Sequence, residues 1–211
     1  MADSSQETKN RLLESAKKEF LENGFTGASL RTIAANAGVT TGAMYRHFKD
    51  KDAFFCALVD DAINFTKKNV MLASPDNHTN LTYSKLSEHI DFEKKTSENF
   101  LNYMYEHFDV FTLLLTKSAG STHEHFQEDI CDLYTRNCEG TFTWMYEKKI
   151  ATKKVSPMTI HFMASTIINA YCDIIFHNMT KEEAVEYIGN IMDFSEAGCM
   201  YLLGIQSVDA K

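Results

Sequence analysis

The residues in this sequence best suited to chemistry lie close together, in Ser29 to Phe48, SLRTIAANAGVTTGAMYRHF. Thr40 and Thr41 supply hydroxyls, Gly42 and Ala43 are small enough for close approach, and Tyr45, Arg46 and His47 add hydrogen-bonding and cationic groups. That set suits recognition of base edges and phosphates rather than bond breaking. The spacing Ala34-x3-Gly38-Val39-x4-Met44 supplies a scaffold for it. A small residue at 34 lets two helices cross at close range, Gly38 permits the sharp turn between them, and Val39 and Met44 plug the gap. The second of the two helices then protrudes as a rod of a size that enters a DNA major groove. The same small-residue packing also occurs in helical hairpins of ordinary cores.

Other constellations are weaker. In His123-Glu124-His125-Phe126-Gln127 the fifth position is Gln, so the two helical ligands at i and i+4 of a zinc protease are absent. The five cysteines, at 56, 131, 138, 172 and 199, form no CxxC pair. Cys131 and Cys138 sit on one helix about 10.5 Å apart in rise, beyond the roughly 7 Å that a disulfide spans between Cα atoms. Phosphate-binding and nucleophile-elbow glycine motifs are missing. Neither a metal, nor a cofactor, nor enzymatic activity is expected.

The elements that must hold the recognition rod are helical. Apolar residues recur at i, i+3, i+4 and i+7 almost throughout, and no alternating run suggests a strand. The spacing predicts an all-α chain with helices over 8–23, 29–37, 41–47, 51–72, 80–106, 107–117, 122–149, 157–179 and 181–205. Gly24 and Gly38 end the first and second, Ser29 and Thr40 cap the second and third, and the loop around Pro75 separates the fourth from the fifth. Ser156 followed by Pro157 reads as an N-cap and first turn. With 211 residues, 44% hydrophobic and 24% charged, the chain can build a sizeable core. An N-terminus of MADSSQETKN and the lack of a long uninterrupted apolar run lead us to expect a cytoplasmic protein with no membrane partner. Net charge is −8, which alone argues against a polyanionic partner, but residues 9–49 carry seven basic against three acidic side chains. A small basic head precedes an acidic body.

The run Leu30-Arg31-Thr32-Ile33-Ala34 with Ala37-Gly38-Val39-Thr40-Thr41-Gly42-Ala43-Met44-Tyr45-Arg46-His47-Phe48-Lys49-Asp50-Lys51 resembles the DNA-binding signature of the TetR/AcrR family of bacterial transcriptional regulators. The resemblance covers roughly residues 8–65. It implies a three-helix helix-turn-helix head over residues 1–50 and a helical effector-binding and dimerisation domain over 51–211. By the same resemblance Thr40, Thr41, Gly42 and Ala43 approach bases. Tyr45, His47 and Lys51 hold phosphates, Arg31 and Thr32 grip the backbone beside the groove, and Arg46 lies on the same face. Many family members carry a basic residue where this chain has Thr41, so the base preference of the tip differs here.

Beyond residue 50 the chain is rich in aromatics and methionines, most of which must be core. A pocket for an apolar or aromatic small molecule is expected among Phe100, Met104, His107, Phe111, Tyr134, Phe142, Met145 and Asn169. The last two helices hold more apolar residues than one inward stripe needs. Ile160, Ala164, Ile167, Tyr171 and Ile174 on the first, and Ile188, Met192 and Met200 on the second, are expected to form a two-fold homodimer face. Two heads about 34–36 Å apart would read a palindromic operator in double-stranded DNA. The expected function is that of a ligand-released repressor. The competing class is a helical small-molecule carrier or enzyme with a vestigial head.

Overall fold

The computed structural model describes residues 2–72 and 86–205. Among them are nine helices and no strand: α1 (Ala2–Gly27), α2 (Leu30–Asn36), α3 (Thr41–Met44), α4 (Lys51–Leu72), α5 (Leu86–Glu106), α6 (Phe108–Thr116), α7 (Phe126–Glu147), α8 (Pro157–Phe176) and α9 (Lys181–Leu203). The Pro75 loop and the expected start of the fifth helix at residue 80 lie outside the described residues. The first helix runs past its expected end, but its regular geometry breaks at Gly24, which adopts φ 69° and ψ 170°. A side chain at that φ would be strained. The third helix is shorter than the expected 41–47: after Met44 the chain tightens, with Arg46 N donating to Ala43 O and His47 N to Met44 O. Such i→i+3 bonding is the common way for a helix end to satisfy its last carbonyls.

The chain divides into two compact units. One comprises Met1–Asn64 with His107–Phe126, and the other Phe65–Glu106 with Gln127–Lys211. In the first, Leu12, Ala16 and Phe20 of α1 are fully buried with Ile33, Met44, Phe54 and Phe55. Rings supply much of this core. Phe55 meets Phe20 and Phe25 edge-on at centroid distances of 5.3 and 5.5 Å, and Phe48 stacks on Phe54 at 3.9 Å. The edge-on geometry is one favoured by the ring quadrupole. The α6 segment joins this unit through Phe25 N donating to Lys117 O at 2.8 Å, Thr26 Oγ1 donating to Ala119 O at 2.8 Å and a Lys17–Asp109 ion pair at 3.5 Å.

In the second unit α8 and α9 form an antiparallel hairpin against which α5 packs. Ser156 caps α8 with Pro157 in its first turn, as the sequence pattern predicts. Thr180 and Glu183 close a reciprocal capping box at the start of α9, satisfying two backbone donors that would otherwise lack partners. Tyr105 Oη donates to Met179 O and Thr180 O, tying the end of α5 to the turn between α8 and α9. Phe65 stacks on Tyr103 at 3.7 Å. A satellite core at the carboxy-terminal end gathers Met145, Ala151, Leu203 and Ile205, with Phe142 and Met200 against it. Gly204, at φ 66°, must be glycine here, because a Cβ would collide with Thr152 Oγ1. By length and composition alone α8 could cross a membrane, but its polar residues Ser165, Thr166, Asn169 and Asp173 lie within that span.

Candidate nucleic-acid interface

The start of α2 is defined twice. Ser29 Oγ accepts from Thr32 N, and Ser29 N donates at 2.9 Å to Oε1 of Glu19, a buried residue of α1. A carboxylate at a helix N-terminus complements the exposed backbone donors and the dipole. Ser15 Oγ donates to Ile33 O, so α1 grips α2 by two polar side chains as well as by packing. We expect Glu19→Ala to leave the Ser29 N–H unpaired and to lower the unfolding free energy of the head by about 1–3 kcal/mol. A loss below a few tenths of that in urea titration would show that water replaces the carboxylate.

At the end of α2, Gly38 takes φ +68°, and Gly38 N donates to Ala35 O while Val39 N donates to Ala34 O. Only 1% of Ala34 and none of Met44 is exposed, as the close crossing and the plug require. Thr40 then caps α3 by accepting from Ala43 N at 3.2 Å. Its oxygen is thus engaged, which leaves the hydroxyl hydrogen to donate outward.

The packing turns the recognition residues out. Arg31, Thr32, Thr40, Thr41, Gly42, Tyr45 and Arg46 are exposed, and Ala43 and His47 half-buried. Tyr45, half of whose surface is accessible, is a large aromatic presented to solvent. Nothing lies within 4 Å of a Cβ built on Gly42, so the tip of α3 stands clear of the rest of its unit.

Lys51 sits differently. Its Nζ donates to Thr26 O at 3.0 Å and Ala28 O at 3.2 Å and lies 5.0 Å from the centre of the Phe25 ring. The ammonium therefore fastens α4 to the turn between α1 and α2, an internal role that the sequence pattern does not signal. Lys49, two positions before it, is exposed and pairs with Asp50 at 3.8 Å.

Residues 12–58 match the family model for bacterial regulatory proteins of the tetR family. This segment belongs to the tetR family of bacterial regulatory proteins. The chain is 41% identical to the transcriptional repressor BepR of Brucella suis over 66 residues, 31% of each chain. The match thus spans about a third of that relative's length. The fold extends the likeness. The structure of NalD, the secondary repressor of the MexAB-OprM multidrug efflux pump in Pseudomonas aeruginosa, superposes with TM-score 0.58 and 18% identity, covering 92% of this chain and 97% of the other. A SmeT–triclosan complex superposes with TM-score 0.62 and 17% identity, covering 90% of each.

The expected pocket residues are distributed over both units. His107 and Phe111 belong to the first unit, where Phe111 is buried. Phe142 and Met145 serve the satellite core. Asn169 is exposed and accepts from Gln127 Nε2 at 3.0 Å, so it is not an inward polar handle. Phe100 and Met104 are buried in the second unit and Tyr134 is half-buried there. Phe100 meets Tyr171 edge-on at 5.1 Å, and Tyr171 Oη shares a 2.7 Å hydrogen bond with Ser97 Oγ. Tyr171, which the apolar stripe assigned to a dimer face, is half-buried and turns its hydroxyl to Ser97.

Around it lies a polar group of which the sequence pattern gave only Tyr134 as a pocket residue: Ser97, Tyr134, Cys138, Tyr171 and Cys199, with Glu93 near enough to act on them. Burial, then the neighbouring Cys138 and Glu93, pushes the Tyr134 phenol well above its usual value. Burial likewise pushes the Cys138 and Cys199 thiols and the Tyr171 phenol up to about 12. At neutral pH these groups are uncharged hydrogen-bonding partners, and the thiols are poor nucleophiles. Ser97, Tyr134, Tyr171 and Cys199 follow one another at intervals of 37, 37 and 28 positions, so apart from the Tyr134–Cys138 pair on α7 no local motif marks the group.

The expected dimer residues also divide. Ile160, Ala164, Ile174 and Ile188 are buried in the chain's own core, because α8 and α9 turn those faces toward each other and toward α5. Ile167 and Met192 are half-buried, and Met200 packs on the satellite core. The outer faces carry other apolar residues: Met158, Phe162 and Phe176 on α8 and Val185, Phe194 and Tyr201 on α9, with Phe162 66% and Phe194 67% exposed. An excess of apolar residues was legible in the sequence, but which of two opposed stripes faces outward depends on how the helices are rotated about their axes.

Proposed function

We propose that this chain is a cytoplasmic, sequence-specific DNA-binding transcriptional repressor that acts as a homodimer and is released from its operator by an apolar or aromatic small molecule. The observation that carries the reading is the exposed tip of α3, Thr40 to Gly42, set on a buried helix-turn-helix and flanked by Tyr45 and Arg46. A hydroxyl-rich, small-residue tip flanked by a cation suits base edges with phosphates on either side. The names of BepR and NalD as repressors support the sign of regulation, and the complex of SmeT with triclosan supports an aromatic effector. Its site is the interior of the second unit, where Phe100 and Met104 offer apolar walls and Tyr134, Tyr171 and Ser97 offer hydroxyls. A few polar groups in an apolar wall are what orient a small ligand.

Fluorescence anisotropy of duplex DNA from upstream of the protein's own gene, with excess random competitor at about 150 mM salt, tests the reading, because affinity and salt dependence must be measured together. Saturable binding that survives the competitor supports it. Binding no tighter than to the competitor across the whole upstream region overturns it.

Dimerisation is assigned to the outer faces of α8 and α9. Gly189 and Gly198 have nothing within 4 Å of a built Cβ, which leaves open positions for a partner helix between the exposed aromatic residues. Exposed apolar area of this kind is covered by association in most soluble proteins. Phe162→Glu is expected to convert the protein to monomers in sedimentation equilibrium and to weaken operator binding by at least about 10²-fold, since one head then binds without its neighbour. A dimer that persists moves the interface elsewhere.

A further inference from the structure

Away from the α3 tip, the first unit brings together three metal-ligating groups that are far apart in sequence. Asp52, Cys56 and Asp60 recur every fourth residue along α4 and so form one stripe. His123, in the segment between α6 and α7, faces that stripe. Its Nε2 lies 3.5 Å from Cys56 Sγ and 3.4 Å from Asp60 Oδ1, and one donor atom each from Cys56, Asp60 and His123 falls within 4.8 Å of the others.

We propose that Cys56, Asp60 and His123 bind a divalent metal ion of the zinc type. Zinc bonds of about 2.3 Å to sulfur, 2.0–2.1 Å to imidazole nitrogen and 2.0–2.2 Å to carboxylate oxygen, set at tetrahedral angles, separate sulfur from nitrogen by about 3.6 Å and nitrogen from oxygen by about 3.4 Å. Two edges of the ligand triangle already have these lengths. The third closes by rotation of the Asp60 carboxylate, whose side chain is 55% exposed and has room to turn. A thiolate, an imidazole and a carboxylate form a donor set that favours zinc or cobalt over magnesium or calcium, which take oxygen alone. On binding, the thiol proton passes to solvent and the Cys56 thiolate and Asp60 carboxylate balance the ion's two charges. Solvent on the Asp60 side supplies the fourth ligand.

The ligands are held from behind. Asp52 Oδ1 accepts from Thr122 N at 2.9 Å and Asp52 Oδ2 from Thr122 Oγ1 at 2.5 Å, while His123 N donates to Ser121 Oγ at 3.1 Å. The helix that carries two ligands thus also positions the backbone that carries the third. Outer contacts of this kind orient ligands in metal sites. Asp52 is a positioning residue, since both its oxygens are engaged by Thr122.

The test is a Co2+ titration of the full-length, EDTA-treated protein followed by absorption spectroscopy. One equivalent is expected to produce a sulfur-to-cobalt charge-transfer band with intense tetrahedral ligand-field bands, and Zn2+ to bleach both. Cys56→Ser should remove the charge-transfer band and Cys131→Ser should keep it. Asp60 is exposed, so Asp60→Asn folds normally, as circular dichroism will check; it should weaken Co2+ binding by at least about 10-fold. His123→Gln should do the same. A wild-type spectrum without the charge-transfer band, a band that survives Cys56→Ser, or Asp60→Asn binding Co2+ as tightly as wild type overturns the site and leaves a hydrogen-bonded cluster only. The optical readout is independent of DNA binding.

Discussion

Gly42→Glu is expected to abolish sequence-specific DNA binding while leaving the melting temperature of the protein unchanged. The argument rests on the space around Gly42. It lies in α3 with helical backbone and no neighbour within 4 Å of a built Cβ, so a side chain there strains nothing, and glutamate is a better helix former than glycine. In the groove the same side chain would set a carboxylate against base edges and phosphates. Like charges placed in an interface cost several kcal/mol. Taking about 2 kcal/mol per half-site and two half-sites in a dimer, affinity for the operator should fall by on the order of 10³-fold, enough to erase the lower end of the usual margin over random DNA. Gly42→Ala makes the companion measurement, with a methyl in place of the charge and a much smaller loss. If Gly42→Glu binds the operator like wild type, the α3 tip is not in the groove.

The second large effect is on stability. Phe55→Ala should lower the unfolding free energy of the first unit by about 3–5 kcal/mol, a large share of the 5–15 kcal/mol typical of a whole domain. None of Phe55 is exposed, and its ring makes edge-on contacts with both Phe20 and Phe25. These rings come from α1, on either side of its break at Gly24, and from α4. Truncation therefore opens a cavity between two helices, where collapse of one side chain cannot fill it. Phe55→Leu, which retains most of the volume, should recover more than half of the loss. Urea unfolding followed by far-ultraviolet circular dichroism measures both. The described residues form two units, so the transition should be fitted for two steps as well as one. A loss below about 1 kcal/mol for Phe55→Ala would mean that the ring cluster is not a cooperative part of the unit.

The recognition head was readable because its determinants are local. Gly38 must reach positive φ, Ala34 must be small, and Ser29 and Thr40 must cap. Each requirement is met within a few residues, so spacing alone expresses it. The capped start of α8 at Ser156-Pro157 was legible for the same reason. Lys51 was not. The resemblance implied a phosphate contact, but in the structure its Nζ meets carbonyls 23 and 25 positions upstream, and no local pattern marks that arrangement.

The sequence by itself determined that the chain is helical, where most helices begin and end, and which side of the helix-turn-helix faces outward. These properties follow from backbone preferences and 3.6-residue periodicity. Only the tertiary structure decided which apolar stripe of α8 and α9 stays exposed, that Tyr171 turns its hydroxyl to Ser97, and that Cys56, Asp60 and His123 meet. Each of those outcomes depends on the rotation of one helix against another. The energy that sets it is spread over many weak packing contacts between residues distant in the chain, and no single residue type or spacing encodes it.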